Sequence, residues 1–247
     1  MNSDVAYDYI RKRILSGEFP PGYALMTEAL SARIKISRTP VRDALRQLEA
    51  DGLVVIRPHA GARVKTMDLR EFRELCELRL ALESHAAALA ARNRTLADLE
   101  EIGFTLKYLR DLTNQVRGLE DGEALMAQLR SEDIRFHLAV IGAAKNDLIK
   151  REILRLHLIN RVMSGADRED RAAPEVRRAD RDAHCAEVLD MHERIFQAIE
   201  RGDAEAARTV MGFHIQDIVD RTIQGMTRAS HHYLAARFTE EELSYKI

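Results

Sequence analysis

The chain has 247 residues, 46% of them hydrophobic and 32% charged, with a formal net charge of −2 at neutral pH. That balance excludes a disordered chain, and no run of about 18 uncharged apolar residues is present to span a bilayer. The two cysteines, Cys76 and Cys185, lie outside any CxxC pair, which excludes a disulfide scaffold and points to a reducing compartment.

Charge is unevenly spread. Residues 1–66 carry 11 Lys/Arg against 7 Asp/Glu, whereas the remainder carries 27 against 33. A basic front on an acidic body suggests an anionic partner for the front. The opening residues "MNSDVAYDYIRKRIL" are charged throughout and lack the apolar block of a secretory signal, so a cytoplasmic location is expected.

In chain order, Val5, Tyr9, Ile10 and Ile14 share helical spacing and predict a first helix over about residues 5–15. The prolines of "GEFPPG" end it. A short helix is expected over about 27–34, with Leu30 and Ile34 inward. "RTPVRDALRQLEAD" predicts a third helix, with Ser37 as its N-cap, Pro40 in its first turn and Gly52 beyond its end. Val41, Ala44, Leu45 and Leu48 form its apolar stripe, and Arg38, Arg42 and Arg46 recur every four residues on another face. "LVVIRPHAGARVK" then reads as two short β segments around a tight turn.

Beyond Thr66 the pattern is helical. Helices are expected over about 68–92, 95–118, 120–143, 146–163, 185–201 and 203–224, with start signals at Thr95, Asn146 and Asp203. The polar stretch 164–184 reads as a loop or a solvated helix. The expected fold is mainly α: a winged helix-turn-helix over 1–66, an all-α antiparallel helical bundle over 67–225, and a C-terminal helical extension over 226–247.

Three helices followed by a hairpin, with arginines along the third helix, form a layout suited to duplex DNA. A helix fits the major groove, and Arg donates two hydrogen bonds to guanine. Thr39 sits at a helix N-terminus, where backbone N–H groups favour a phosphate, and the wing offers Arg57, His59 and Arg63 around Gly61. The alternative is that each arginine is an ordinary solvated helix charge.

Within "SEDIRFH", Asp133 and His137 stand four residues apart on one helix face. His192 and His214 lie on the two helices flanking the break "RGDAEAA", which lets both imidazoles approach a common point. One carboxylate and three imidazoles suit a divalent ion, Zn²⁺ first, with Ni²⁺, Mn²⁺ or Fe²⁺ also compatible. Four unrelated polar residues remain the competing reading.

The stretch "SRTPVRDALRQLEADGLVVIRPHAGARV", preceded by "ILSGEFPPG", closely resembles the DNA-binding domain of GntR-type bacterial transcription regulators. By that resemblance Arg38, Thr39, Arg42 and the wing tip around His59 and Gly61 touch operator DNA, with Arg46 beside them. Glu28 stands where the family usually has Arg, and Lys35 where it has Gly. The segments "ELRLALESHAAALAA", "DIRFHLAVIGAAKND" and "MHERIFQAIERGDAEAARTVMGFHI" resemble the FCD-type effector domain of the FadR branch. That resemblance implies that Asp133, His137, His192 and His214 hold a divalent ion, leaving positions for a small carboxylate effector. It also implies a homodimer on palindromic double-stranded DNA.

Arg79, within an E-x-R pattern, is a candidate partner for the effector's carboxylate, with Glu83 four residues on as its alternative partner. Asn146 is a second pocket candidate, explained equally by helix capping. The leading expectation is a ligand-responsive repressor and not an enzyme. A metal-dependent hydrolase and a regulator with a purely structural ion are the alternatives; the first lacks HExxH and an evident general base.

Overall fold

The computed structural model describes residues 2–58, 60–120, 123–163 and 174–228. His59, in the expected wing, and residues 229–247, most of the expected C-terminal extension, lie outside the described residues, as do 164–173. The described chain divides into two compact units. Among the described residues, the first draws on 2–75, 154–163 and 225–228, and the second on 76–153 and 174–224.

The first unit begins with α1 (Asn2–Leu15), β1 (Ala24–Leu25), α2 (Thr27–Ile34), α3 (Arg38–Ala50), β2 (Val54–Arg57) and β3 (Gly61–Val64). α1 starts earlier than its apolar spacing suggests, and its inward face is Ala6, Tyr7, Ile10 and Ile14, while Val5 is exposed. The Tyr7 hydroxyl donates to Asp51 at 2.7 Å and ties α1 to the end of α3. α3 buries Val41, Ala44, Leu45 and Leu48 as its spacing requires. Ser37 occupies the N-cap with an extended backbone, yet its side chain makes no capping hydrogen bond.

The wing has three strands rather than the expected two. β2 and β3 pair antiparallel, with Val54 opposite Val64 and Arg57 opposite Gly61, and β1 adds itself to the other side of β3. Gly61 turns the hairpin at φ +76, a left-handed backbone that glycine adopts without cost.

The second unit is helical. It contains α4 (Leu69–Asn93) from Cys76 onward, α5 (Leu96–Val116), α6 (Glu123–Ala143), the start of α7 (Asp147–Met163), α8 (Pro174–Arg201) and α9 (Ala204–Arg228) as far as Gln224. α5 packs against α6 and α8. Ala86, Ile141, Ala144 and Ile153 form a core cluster, flanked by Leu82, Leu89 and Ile149. Each expected start signal works: Thr95 and Asp98 form a reciprocal capping box, Asn146 Oδ1 accepts from the Ile149 N–H, and Asp203 Oδ1 accepts from the Ala206 N–H. α8 begins at Pro174, so the polar stretch that read as loop or solvated helix is helical from there. Pro174 suits a first helical position because its missing N–H would have no partner there.

Candidate metal centre and nucleic-acid interface

The α6 sequence sets Asp133, Phe136, His137 and Val140 at i, i+3, i+4 and i+7, one inward stripe. On α8, His192, Ile195 and Ile199 follow the same rule, and on α9 Met211, His214 and Ile215 do. Each histidine occupies a position that helical periodicity assigns to the core. Gly202, at φ +75, and the Asp203 cap reverse the chain between α8 and α9.

Three helices thereby bring four side chains together. One ligand atom from each of Asp133, His137, His192 and His214 lies within 4.8 Å of the others. His137 Nε2 and His214 Nε2 are 3.0 Å apart, His192 Nε2 and His214 Nε2 3.1 Å, and His192 Nε2 and Asp133 Oδ1 3.4 Å. The imidazoles are 2%, 0% and 1% exposed, so water cannot serve their inward nitrogens. Phe136 backs the cluster, its ring centroid 4.4 Å from that of His192.

The set fits a cation. Nitrogens bound to one tetrahedral zinc at about 2.0–2.1 Å stand roughly 3.3 Å apart, close to the spacing here. His192 Nδ1 is buried and has no hydrogen-bond partner among the described residues. Burial, reinforced by the facing His214 and His137, holds His192 well below the ordinary histidine value. Burial and His137 likewise lower His214 to about 3. Both are neutral near pH 7, the form that ligates. Burial also disfavours the His137 cation, but the Glu83 hydrogen bond and the Asp133 charge outweigh it and raise that pKa.

Glu83 is the residue that sequence reasoning treated only as a partner for Arg79. Its side chain is fully buried, its Oε2 lies 3.5 Å from His137 Nδ1, and its Oε1 accepts from Arg79 Nε at 2.8 Å. A carboxylate behind an imidazole fixes the ring's tautomer and orientation and presents the other nitrogen to a metal. Arg79 therefore takes the i+4 partner that was its alternative at the outset. Asn146 caps α7.

A cavity of about 200 Å³ opens beside the cluster, lined by Asp133, His192 and His214 together with other residues of α5, α6, α8 and α9. Arg79 and Asn146 are not among its lining residues, whereas Arg130 and His184 are. His184 was not a candidate in the sequence reading. Its position eight residues before His192 on α8 is the signal that places it nearby.

On the first unit, Arg38, Thr39, Arg42 and Arg46 are all exposed, opposite the buried stripe of α3. Arg38 Nη1 lies 3.0 Å from Glu28 Oε1, and Arg46 Nη1 3.5 Å from Asp43 Oδ1. Lys35 ends α2 in the left-handed conformation at φ 59, the conformation for which glycine is the usual choice. Gly61 at the wing is exposed, with nothing within 4 Å of where a Cβ would stand.

Comparison with known proteins agrees with this architecture. Residues 2–64 match the bacterial regulatory proteins of the gntR family, and residues 74–217 match the FCD domain. The HTH-type transcriptional regulator LutR of Bacillus subtilis is 30% identical over 223 residues, covering 84% of this chain and 94% of that protein. A probable D-xylose utilization operon transcriptional repressor of Paenarthrobacter nicotinovorans is 28% identical over 208 residues, covering 84% of this chain and 83% of that protein. Among solved structures, E. coli McbR/YncC shares the fold with a TM-score of 0.63 at 22% identity, covering 91% of this chain and 98% of that one. The chain belongs to the GntR family of bacterial regulatory proteins, with a GntR helix-turn-helix followed by an FCD domain, and is a DNA-binding transcriptional regulator of that type.

Proposed function

We propose that this regulator is an effector-responsive repressor whose helical body senses a small carboxylic acid through a divalent ion. The observation that carries the reading is the convergence of three imidazole nitrogens and a carboxylate beside a cavity that Asp133, His192 and His214 help to line. Asp133, His137, His192 and His214 would hold the ion, Zn²⁺ by preference with Ni²⁺, Mn²⁺ or Fe²⁺ compatible. A bound ion would supply positive charge and open coordination positions for the effector's carboxylate. The surrounding side chains do the rest: Glu83 orients His137, and Phe136 backs His192.

In this reading residues 1–66 form the DNA-reading head and residues 67–225 the sensing and dimerising body. Arg38, Thr39, Arg42, Arg46, His59 and Gly61 would face a palindromic operator, matched by the two-fold symmetry of a homodimer. Repression follows the names of two relatives: the Paenarthrobacter repressor above and the HTH-type transcriptional repressor RspR of Escherichia coli, which is 26% identical over 218 residues. An acid that favours one arrangement of the paired bodies would change operator affinity by its differential affinity for the two arrangements.

The test is fluorescence anisotropy of the full chain on its own promoter DNA, with and without metal and with acids that raise the melting temperature. At least about a fivefold change in operator affinity is expected with such an acid. Loss of that response in His192→Ala supports the reading. Operator affinity unmoved by every stabilising acid would leave a constitutive binder with a structural ion.

A further inference from the structure

The chemistry of the cavity narrows the kind of acid it accepts. Apart from its polar groups, much of the lining is hydrocarbon: Leu109 from α5, Met126 and Leu129 from α6, Val188 and Leu189 from α8, and Ile218 from α9. Met126, Val188, Leu189 and Ile218 are only half-buried although they lie on packed helices, so apolar surface is left for a guest. A cavity of about 150 Å³ lined by such residues holds benzene, and this one measures about 200 Å³. The difference leaves room for a carboxylate on a body of that size.

Charge narrows it further. With Glu83 neutralised by Arg79, a divalent ion beside the Asp133 carboxylate and three neutral imidazoles leaves one positive charge, which one carboxylate neutralises. A second carboxylate would lie against hydrocarbon without a buried counter-charge. Arg130 also lines the cavity but is exposed to solvent, where its charge is screened. Thr113 and His184 supply two further polar contacts, fewer than a polyhydroxylated acid needs. Each hydroxyl held against carbon would lose its hydrogen bonds to water, at a cost of about tenfold in affinity.

We propose that the effector is a monocarboxylate with a compact apolar body, aromatic or short aliphatic, seated with its carboxylate toward Asp133, His192 and His214 and its body among Leu109, Leu129 and Val188. This rests on reading the cluster as a metal site.

The test is calorimetric titration of the full-length, Zn²⁺-loaded protein with benzoate, hexanoate, gluconate and succinate, repeated after removal of zinc. Benzoate and hexanoate are expected to bind at least about tenfold tighter than gluconate and succinate, and only to the loaded protein. Val188→Asn is expected to weaken benzoate by about tenfold, with Met126→Gln as a second variant should the first fail to fold. Gluconate or succinate binding as tightly as benzoate overturns the proposal and leaves the metal reading intact. Zinc binding with no acid response likewise overturns the proposal alone. Benzoate binding equally well without zinc overturns it as well, because its carboxylate would then have met no cation. Failure of zinc itself to bind removes both.

Discussion

At the scale of single residues, the cluster suits a metal ion because its histidines are buried and two of them are held neutral. Glu83 is the least obvious member. Glu83→Gln keeps the shape but weakens the acceptor behind His137, and metal affinity is expected to fall by about 10–100-fold. Competition with a chelating dye measures this, and unchanged affinity would show that the 3.5 Å approach to His137 is incidental. On the DNA side, Arg42→Ala removes an exposed α3 cation, whereas Arg38 and Arg46 lie beside Glu28 and Asp43. Operator binding should weaken by about 1–3 kcal/mol if Arg42 reads a base. A loss equal on operator and random DNA would make it a phosphate contact instead.

Individual elements show what local sequence can and cannot reveal. Asp133 and His137 were legible as a pair because helical period is a local property, and His192 and His214 because one break folds their helices back. The role of Glu83 was not legible, since an i+4 Arg–Glu pair looks the same whether solvated or, as here, fully buried. β1 was missed because two residues carry no alternation, and its pairing with Ala62 and Arg63 is fixed by tertiary structure. At α3 Ser37 makes no capping hydrogen bond, whereas the local signal held at the start of α5. There burial disfavours the Asp98 carboxylate, but hydrogen bonds from Lys145 and Thr95 outweigh it and lower the pKa. Because the folded value is depressed, the stabilisation is present above the ordinary carboxylate range, about pH 4, and is lost as pH falls through the folded value. Asp98→Asn should therefore lower stability at pH 7 by about 1 kcal/mol and narrow the gap to wild type in acid. Melting curves at several pH values check this; a gap that widens in acid would contradict it. At the end of α3, Gly52 holds φ +82 and a Cβ there would stand 2.9 Å from Ile159 Cδ1. Gly52→Ala is expected to cost about 1–2 kcal/mol, a fall of a few degrees in melting temperature, and an unchanged melt would mean that this turn relaxes freely.

The whole molecule pairs a basic front with an acidic body. That asymmetry predicts that operator affinity falls steeply as salt rises, since phosphate contacts release counterions. If the cluster holds an ion, the body's stability should depend on it. A ligand bound only by the folded state adds stability in proportion to the logarithm of its concentration over its dissociation constant. Chelation should lower the melting temperature of wild type by several degrees and leave His192→Ala unmoved. The identity of the donor atoms is open to direct view by X-ray absorption of the zinc-loaded full chain. Three imidazole nitrogens and one oxygen at about 2.0–2.2 Å are expected, with the nitrogen signal altered in His214→Ala. A first shell containing sulfur from Cys185, or a spectrum unchanged by that substitution, would contradict the account.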